Sequence, residues 1–270
     1  MALKLMYITN EPDVAAIADQ AGVDRIFVDL EILDKEARQP NMDTVKSHHK
    51  ISDIGLVKKA VSKAEILTRV NHIYEGSRQE IDAVIKEKTD IIMLPYFKTA
   101  DEVKLFLEYV DGRAKTSLLL ETPEAVECLD EIIGLPGIDE IHIGLNDLSL
   151  GYRKKFMFEL LSDGTVEKIC AKLRNTKISY GFGGIAGLGQ GQLSAEYIIK
   201  EHYRLGSKCA ILSRSFCNTS IVKDRSQIRN IFENGIKSIR EFEKEVKSHW
   251  DYFEDNRLSV KSIVKQIVEK

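Results

Sequence analysis

Short apolar runs recur along the chain, each bounded by turn residues and separated by stretches in which apolar positions return every third or fourth residue. Runs of this kind are how buried parallel strands and one-faced helices read in sequence. Strands are predicted at Leu3–Thr9, Arg25–Glu31, Ile66–Asn71, Asp90–Phe97, Thr116–Thr122, Ile138–Gly144, Lys177–Ile185 and Lys208–Arg214. Helices are predicted at Pro12–Gly22, Ser52–Ala64 with Ser52 as N-cap, Ser77–Glu87, Ala100–Val110, Pro123–Ile133, Phe158–Arg174, Ser194–Tyr203 and Arg225–Ser248. Regular βα alternation implies a parallel sheet with helical crossovers, and eight such units fit a closed (β/α)8 barrel of the TIM type. A doubly wound open sheet is the alternative. It is disfavoured because no GxGxxG follows the first strand.

Two segments depart from this rhythm. The connection after Glu31 runs through Lys50, long for a βα loop. The tail His249–Lys270 carries a further apolar stripe (Leu258, Val260, Ile263, Val264, Ile267, Val268), which would pack on the barrel wall or on another subunit. The expected organisation is a barrel over residues 1–248 with a C-terminal helical extension over 249–270 and a homo-oligomeric assembly.

Composition narrows the partners. The 270 residues are 43% hydrophobic and 30% charged, with a net charge of −3. No basic block points to nucleic acid. No apolar stretch reaches the ~20 residues of a membrane span, and the start shows no signal-peptide pattern. Cys128, Cys170, Cys209 and Cys217 form no CxxC pair, the usage of reduced thiols in a cytoplasmic protein.

Candidate chemistry lies at the strand ends. Glu121 closes Thr116–Leu120, and Asp147 follows the run that ends at Gly144. Chemistry in a parallel barrel is done at the C-terminal strand ends. Two carboxylates at neighbouring ends would converge on one point, as a hard divalent cation requires. The competing reading makes both acids helix N-caps or loop solubilisers.

Several segments resemble, in matching order, the HpcH/HpaI aldolase and citrate lyase β-subunit family. They are Gly22–Glu31, Thr68-Arg69-Val70-Asn71, Met93-Leu94-Pro95 with Thr99–Val103, Glu121-Thr122-Pro123-Glu124-Ala125, and Ile143–Ser149. The resemblance implies a modified (β/α)8 barrel that makes or breaks a carbon–carbon bond next to a carboxylated carbonyl. It implies Mg2+ or Mn2+ held by Glu121 and Asp147, and Arg69 on the carbonyl or enolate oxygen. An enolate oxygen needs a Lewis acid and a forked donor suits it, so the residue types fit the chemistry.

One position departs from the family. Its aldolases place an acid–base histidine directly after the second strand, where this chain has Ile32, and the acidic residue of the citrate lyase branch is not matched either. The long loop carries Arg38, His48, His49 and Lys50. His48 or His49 is the expected proton-transfer group, with His72 as second candidate. Alternatively His48 and His49 are solvated loop residues. Gly181–Gly191 and Leu212–Phe216 fall where many barrels bind phosphate, or serve only as turns. His142 reads as a core histidine rather than a ligand, and Lys155–Leu161 as a packing or subunit-contact segment. The expected protein is a metal-dependent carbon–carbon lyase or aldolase acting on a small 2-oxo acid. Citrate-forming or citryl-ester-cleaving chemistry is the alternative, and a barrel that binds without catalysis is the rival.

Overall fold

In the computed structural model, which describes residues 2–33 and 49–270, strands and helices alternate. The first half runs β1 (Lys4–Ile8), α1 (Pro12–Ala21), β2 (Arg25–Asp29), α2 (Ile51–Ala60), β3 (Glu65–Arg69), α3 (Ser77–Lys86), β4 (Ile91–Leu94) and α4 (Ala100–Val110). It continues with β5 (Lys115–Leu120), α5 (Pro123–Glu127), α6 (Leu129–Ile132), β6 (Glu140–Ile143), α7 (Leu145–Gly151), α8 (Glu159–Ser162) and α9 (Thr165–Arg174). The chain ends with β7 (Ser179–Phe182), β8 (Gly184–Ile185), α10 (Ala195–Leu205), β9 (Cys209–Leu212), α11 (Arg225–Ser248) and α12 (Phe253–Val268). Arg38 and His48 lie outside the described residues.

All strand pairings are parallel, in the order β7-β6-β5-β4-β3-β2-β1-β9-β8. The predicted strand Lys177–Ile185 is broken into β7 and β8 at Gly183 (φ +50°). A Cβ there would also lie 2.7 Å from Leu145 Cδ1, so the position needs glycine. β7 pairs with β6 and β8 with β9. Lys208 N–H donates to the Tyr180 carbonyl at 2.7 Å, and the two halves together bring the ends of the sheet into one barrel.

Alternation along each strand sorts residues to two faces. Ile26 and Val28 of β2 turn outward to the large core beneath the helices. Phe27 turns inward, onto a smaller cluster with Met6, Leu67, Ile91, Met93, Leu119 and Cys209. One step toward the strand starts, the interior is charged. Arg25, 1% exposed, donates Nη1 and Nη2 to the Glu140 carboxylate at 2.6 Å each. Its Nε reaches Glu65 at 3.1 Å, and Lys115 reaches the other oxygen of Glu65. These groups close the barrel bottom.

Local differences from expectation have local causes. α2 begins after Lys50 rather than at Ser52, because Asp53 accepts the Lys50 N–H at 2.9 Å. Pro123–Ile133 divides into two short helices at Cys128. Phe158–Arg174 divides where Gly164 takes φ +84°. α4 begins as its sequence suggests, with Thr99 and Glu102 exchanging hydrogen bonds in a capping box.

The tail forms α12, which lies against α8 and α10. Val260 and Val264 are buried there, while Leu258 stays 50% exposed. Asn256 Nδ2 fastens the helix to Glu201 at 2.8 Å. Within Lys155–Leu161, Phe158 just before α8 and Leu160 and Leu161 inside it are buried in the core. No helix among the described residues is long and apolar enough to cross a membrane.

Two histidines inside the structure make the fold acid-sensitive. His142 joins Gly183 O through Nε2 at 3.1 Å and faces the Cys209 sulfur, the satisfied core histidine. Burial lowers it from 6.5 to about 4. His202 stacks on Phe182 at 3.9 Å, and burial, then the nearness of His142, lowers it to about 3. The unfolded chain takes up protons near pH 6.5 while the folded rings stay neutral, so this stability is present above 6.5 and lost as pH falls toward 4 and 3. The urea midpoint is expected to fall through that window, and less steeply in His202→Phe. An equal slope in the variant would remove His202 from the account.

Candidate active site

The C-terminal strand ends gather charge. Asp29 and Arg69 are register partners on β2 and β3, so their side chains share a face. Arg69 donates Nε and Nη2 to the two oxygens of Asp29 at 2.8 Å each, a bidentate pair. Its Nη1 lies 3.2 Å from Glu31, and its plane lies over the Phe27 ring at 5.6 Å. Burial opposes the guanidinium charge, but Asp29, Glu31 and Glu121 together hold it well above its ordinary range. Glu121 directly follows β5, so in this parallel sheet it lies at the same barrel mouth as Arg69 at the end of β3.

Glu121, 4% exposed, follows β5, and its Oε1 accepts the Tyr96 N–H at 3.1 Å. Tyr96 presents that amide from a left-handed backbone (φ +50°). Capping of α5 falls instead to Thr122, whose side chain accepts the Ala125 N–H at 3.2 Å. The N-cap of α7 is Gly144, and half-buried Asp147 stands in that helix's first turn. Glu121 and Asp147 line one cavity of ≈520 Å3 with Tyr96, Thr122 and Leu150.

Among the described residues no group of three or more His, Cys, Asp or Glu side chains converges as a metal cage. Two carboxylates on an open cavity nevertheless fit Mg2+ or Mn2+, because Mg2+ is commonly held by one or two carboxylates with water and substrate oxygens completing its shell.

His49 is half-buried beside this cluster, and its Nδ1 accepts the backbone N–H of Asp29 at 3.0 Å. That bond assigns the neutral ring its proton on Nε2. His72 lies three residues past Arg69, half-buried. Ile32, at the family histidine's position, is 62% exposed.

Sequence reasoning missed the supporting residues. Asp29 and Glu31 lie in the segment Gly22–Glu31 and Asn71 in Thr68–Asn71, and the sequence alone gives none of the three a role. Asn71 Oδ1 accepts the N–H groups of Ile32 and Leu33 at 2.9 and 3.0 Å, and its Nδ2 donates to Glu80 at 2.8 Å. It pins the exit of β2. The signal available was an acid–x–acid at one strand end opposite an arginine at the next. The glycine-rich loop after β8 places Gly189 N–H on Glu196 at 2.8 Å, so a carboxylate of the chain itself meets that amide.

The fold and site define a parallel barrel with an acid-held arginine and two cavity-lining carboxylates at its strand ends. The family model for HpcH/HpaI aldolase/citrate lyase matches residues 4–181, and the chain belongs to that family. Among solved structures it is similar to an HpcH/HpaI aldolase from Desulfitobacterium hafniense DCB-2, at 16% identity and TM-score 0.62, over 89% of this chain and 93% of that one. An HpcH/HpaI aldolase/citrate lyase family protein from Burkholderia cenocepacia J2315 matches at 12% identity and TM-score 0.62, over 84% and 95%. The citrate synthase SbnG matches at 14% identity and TM-score 0.59, over 89% and 94%. At these identities the likeness is one of fold. No curated protein matches the sequence.

Gly144 is set by the site. A Cβ there would lie 2.8 Å from both Cβ and Oε2 of Glu121. Gly144→Ala is therefore expected to cost roughly 1–3 kcal/mol of stability through overpacking. Thermal unfolding checks this, and an unchanged midpoint would mean that Glu121 swings aside freely.

Proposed function

We propose that the protein is a metal-dependent carbon–carbon lyase or aldolase that acts on a 2-oxo acid through a pyruvate-type enolate. The observation that carries this reading is the placement of Arg69 and Glu121 at the C-terminal ends of β3 and β5, one barrel mouth, with Arg69 locked by Asp29 and Glu31. Glu121 and Asp147 are the residues that would hold the divalent metal, Mg2+ or Mn2+. When bound, the cation supplies a Lewis acid for the carbonyl oxygen.

The chain's own groups do the rest. Arg69 offers fixed N–H donors to an enolate oxygen or carboxylate, and its two partners prevent it from turning away. An imidazole of the 48–49 pair, or His72, moves the proton. While Asp29 occupies Nδ1, His49 can present only an N–H, which assigns it the donor's part rather than the base's. Citrate-forming or citryl-ester-cleaving chemistry is the second reading, favoured by Ile32 at the position where the family's aldolases carry a histidine.

Exchange of pyruvate methyl protons with solvent deuterium tests the reading. The parent is expected to exchange them only with Mg2+ or Mn2+ present, and Arg69→Lys to do so with the barrier raised by ~2–3 kcal/mol, because a point charge replaces a fork. No exchange by the parent would leave a barrel that binds without catalysis. Exchange by Arg69→Lys within about threefold of the parent would make Arg69 structural.

The metal assignment has a separate check. Glu121→Gln and Asp147→Asn are each expected to lose Mg2+ and Mn2+ binding in a calorimetric titration while remaining folded, since one carboxylate is too little to hold a hydrated ion. Unchanged affinity in both variants would sink it.

A further inference from the structure

Among the described residues, four that are not glycine take a left-handed backbone: Lys88, Tyr96, Asp111 and Arg153. Three of them close helices. Asp111 caps α4, and Lys88 and Arg153 stand one residue past the caps of α3 and α7. Left-handed residues are ordinary at such ends. Tyr96 is different. It lies two residues past β4, at φ +50°, on the wall of the cavity that Glu121 and Asp147 line. Glycine is the usual occupant of this conformation, and a bulky residue keeps it only where its surroundings enforce it.

The enforcing contacts lie on both sides. Pro95 before the turn and Phe97 after it are buried. The Phe97 carbonyl accepts Thr122 Oγ1 at 2.7 Å. The N–H groups of Lys98 and Thr99 donate to the Glu102 carboxylate at 2.7 and 2.9 Å, which fastens the exit to α4. Between these anchors the Tyr96 N–H is aimed at Glu121 Oε1, 3.1 Å away. Two adjacent residues of one strand end thus bind two adjacent residues of the next. Tyr96 holds Glu121, and Thr122 holds Phe97. On the far side, Glu121 Oε2 rests against Gly144, where a Cβ would lie only 2.8 Å from it. The carboxylate is bracketed between an amide and a backbone that carries no side chain.

We propose that Tyr96 is a positioning residue for Glu121, and that the amide it presents from this strained turn sets which divalent cation the cavity prefers. The choice of cation rests on the metal assignment above; the hold on Glu121 does not. An oxygen engaged by an N–H is less able to join its neighbour in two-oxygen chelation, so the carboxylate is offered in one direction. Mg2+ demands near-ideal octahedral geometry, whereas Ca2+ takes more oxygens and accepts a carboxylate through both. The turn therefore favours the smaller ion.

The full chain labelled with 15N-tyrosine tests the hold. Of the nine tyrosine amide signals, the one missing from Tyr96→Phe belongs to Tyr96. Glu121→Gln replaces a charged acceptor with a neutral one, so it should move that signal upfield and speed its exchange with solvent. Calorimetric titration with MgCl2 and with CaCl2 tests the selection. The parent should prefer Mg2+, and Tyr96→Phe, with the same backbone, should keep that preference. Glycine meets φ +50° without strain, so Tyr96→Gly should remain folded while its looser turn releases the carboxylate. Its preference for Mg2+ over Ca2+ should fall by roughly threefold or more. A purely structural Tyr96 would shift the thermal midpoint of Tyr96→Gly and leave the preference at the parent's value, and that result overturns the proposal. A Tyr96 signal unmoved in Glu121→Gln overturns it as well. Binding of neither ion by the parent, with the signal still moved, would sink the metal assignment and the selectivity together while upholding the grip on Glu121.

Discussion

A guanidinium withdrawn from most of its water, as that of Arg69 is at 14% exposure, needs carboxylates around it, and the barrel mouth is organised around that constraint. Asp29 satisfies it twice over. Its carboxylate takes two donors of Arg69, and its backbone N–H fixes the ring of His49. It also accepts the Glu31 N–H at 3.2 Å, which holds the second carboxylate in place for Arg69. Loss of this one side chain would release the arginine, its other partner and the support of both. The cost of breaking a buried pair is large because the partner stays behind uncompensated.

The same strand serves both ends of the barrel. In β2, Arg25, Phe27 and Asp29 point inward in turn, so one period-two stretch supplies the bottom ion pair, the apolar middle and the site. The apolar layer keeps the two charged layers apart. That separation lets Glu140 and Glu65 serve Arg25 while Asp29 and Glu31 serve Arg69.

Alternation of strand and helix was legible in the sequence because each buried strand is a bounded apolar run, and eight such units read directly as a barrel. Glu121 and Arg69 stood out as candidates because they follow or end apolar runs, and Asp147 because it closely follows one, although it lies in the first turn of α7. What escaped notice depends on partners remote in sequence. Arg25 gives no sign that its carboxylate is Glu140, 115 positions away, nor Asn71 that it holds the amides of Ile32 and Leu33. The breaks at Cys128, Gly164 and Gly183 were also invisible. A helix interrupted for one residue keeps its periodicity, and a glycine within a strand announces a bend only once its neighbour is known.

Gly183 leaves the barrel with a fault line. Every other junction is a single strand facing both neighbours, whereas here β7 serves β6 and the two-residue β8 serves β9. The β8 ladder is only two residues long, and the bonds of Lys208, Ile211 and Ser213 to Tyr180, Gly183 and Ile185 carry the junction across the break. The β9 side of the seam carries Leu212 and leads to Arg214, and both line a cavity of ≈280 Å3 with Tyr7 and His49. The junction with the shortest strand therefore borders that cavity, whereas the arginine held by Asp29 stands on β3, within the unbroken run of strands from β2 to β6.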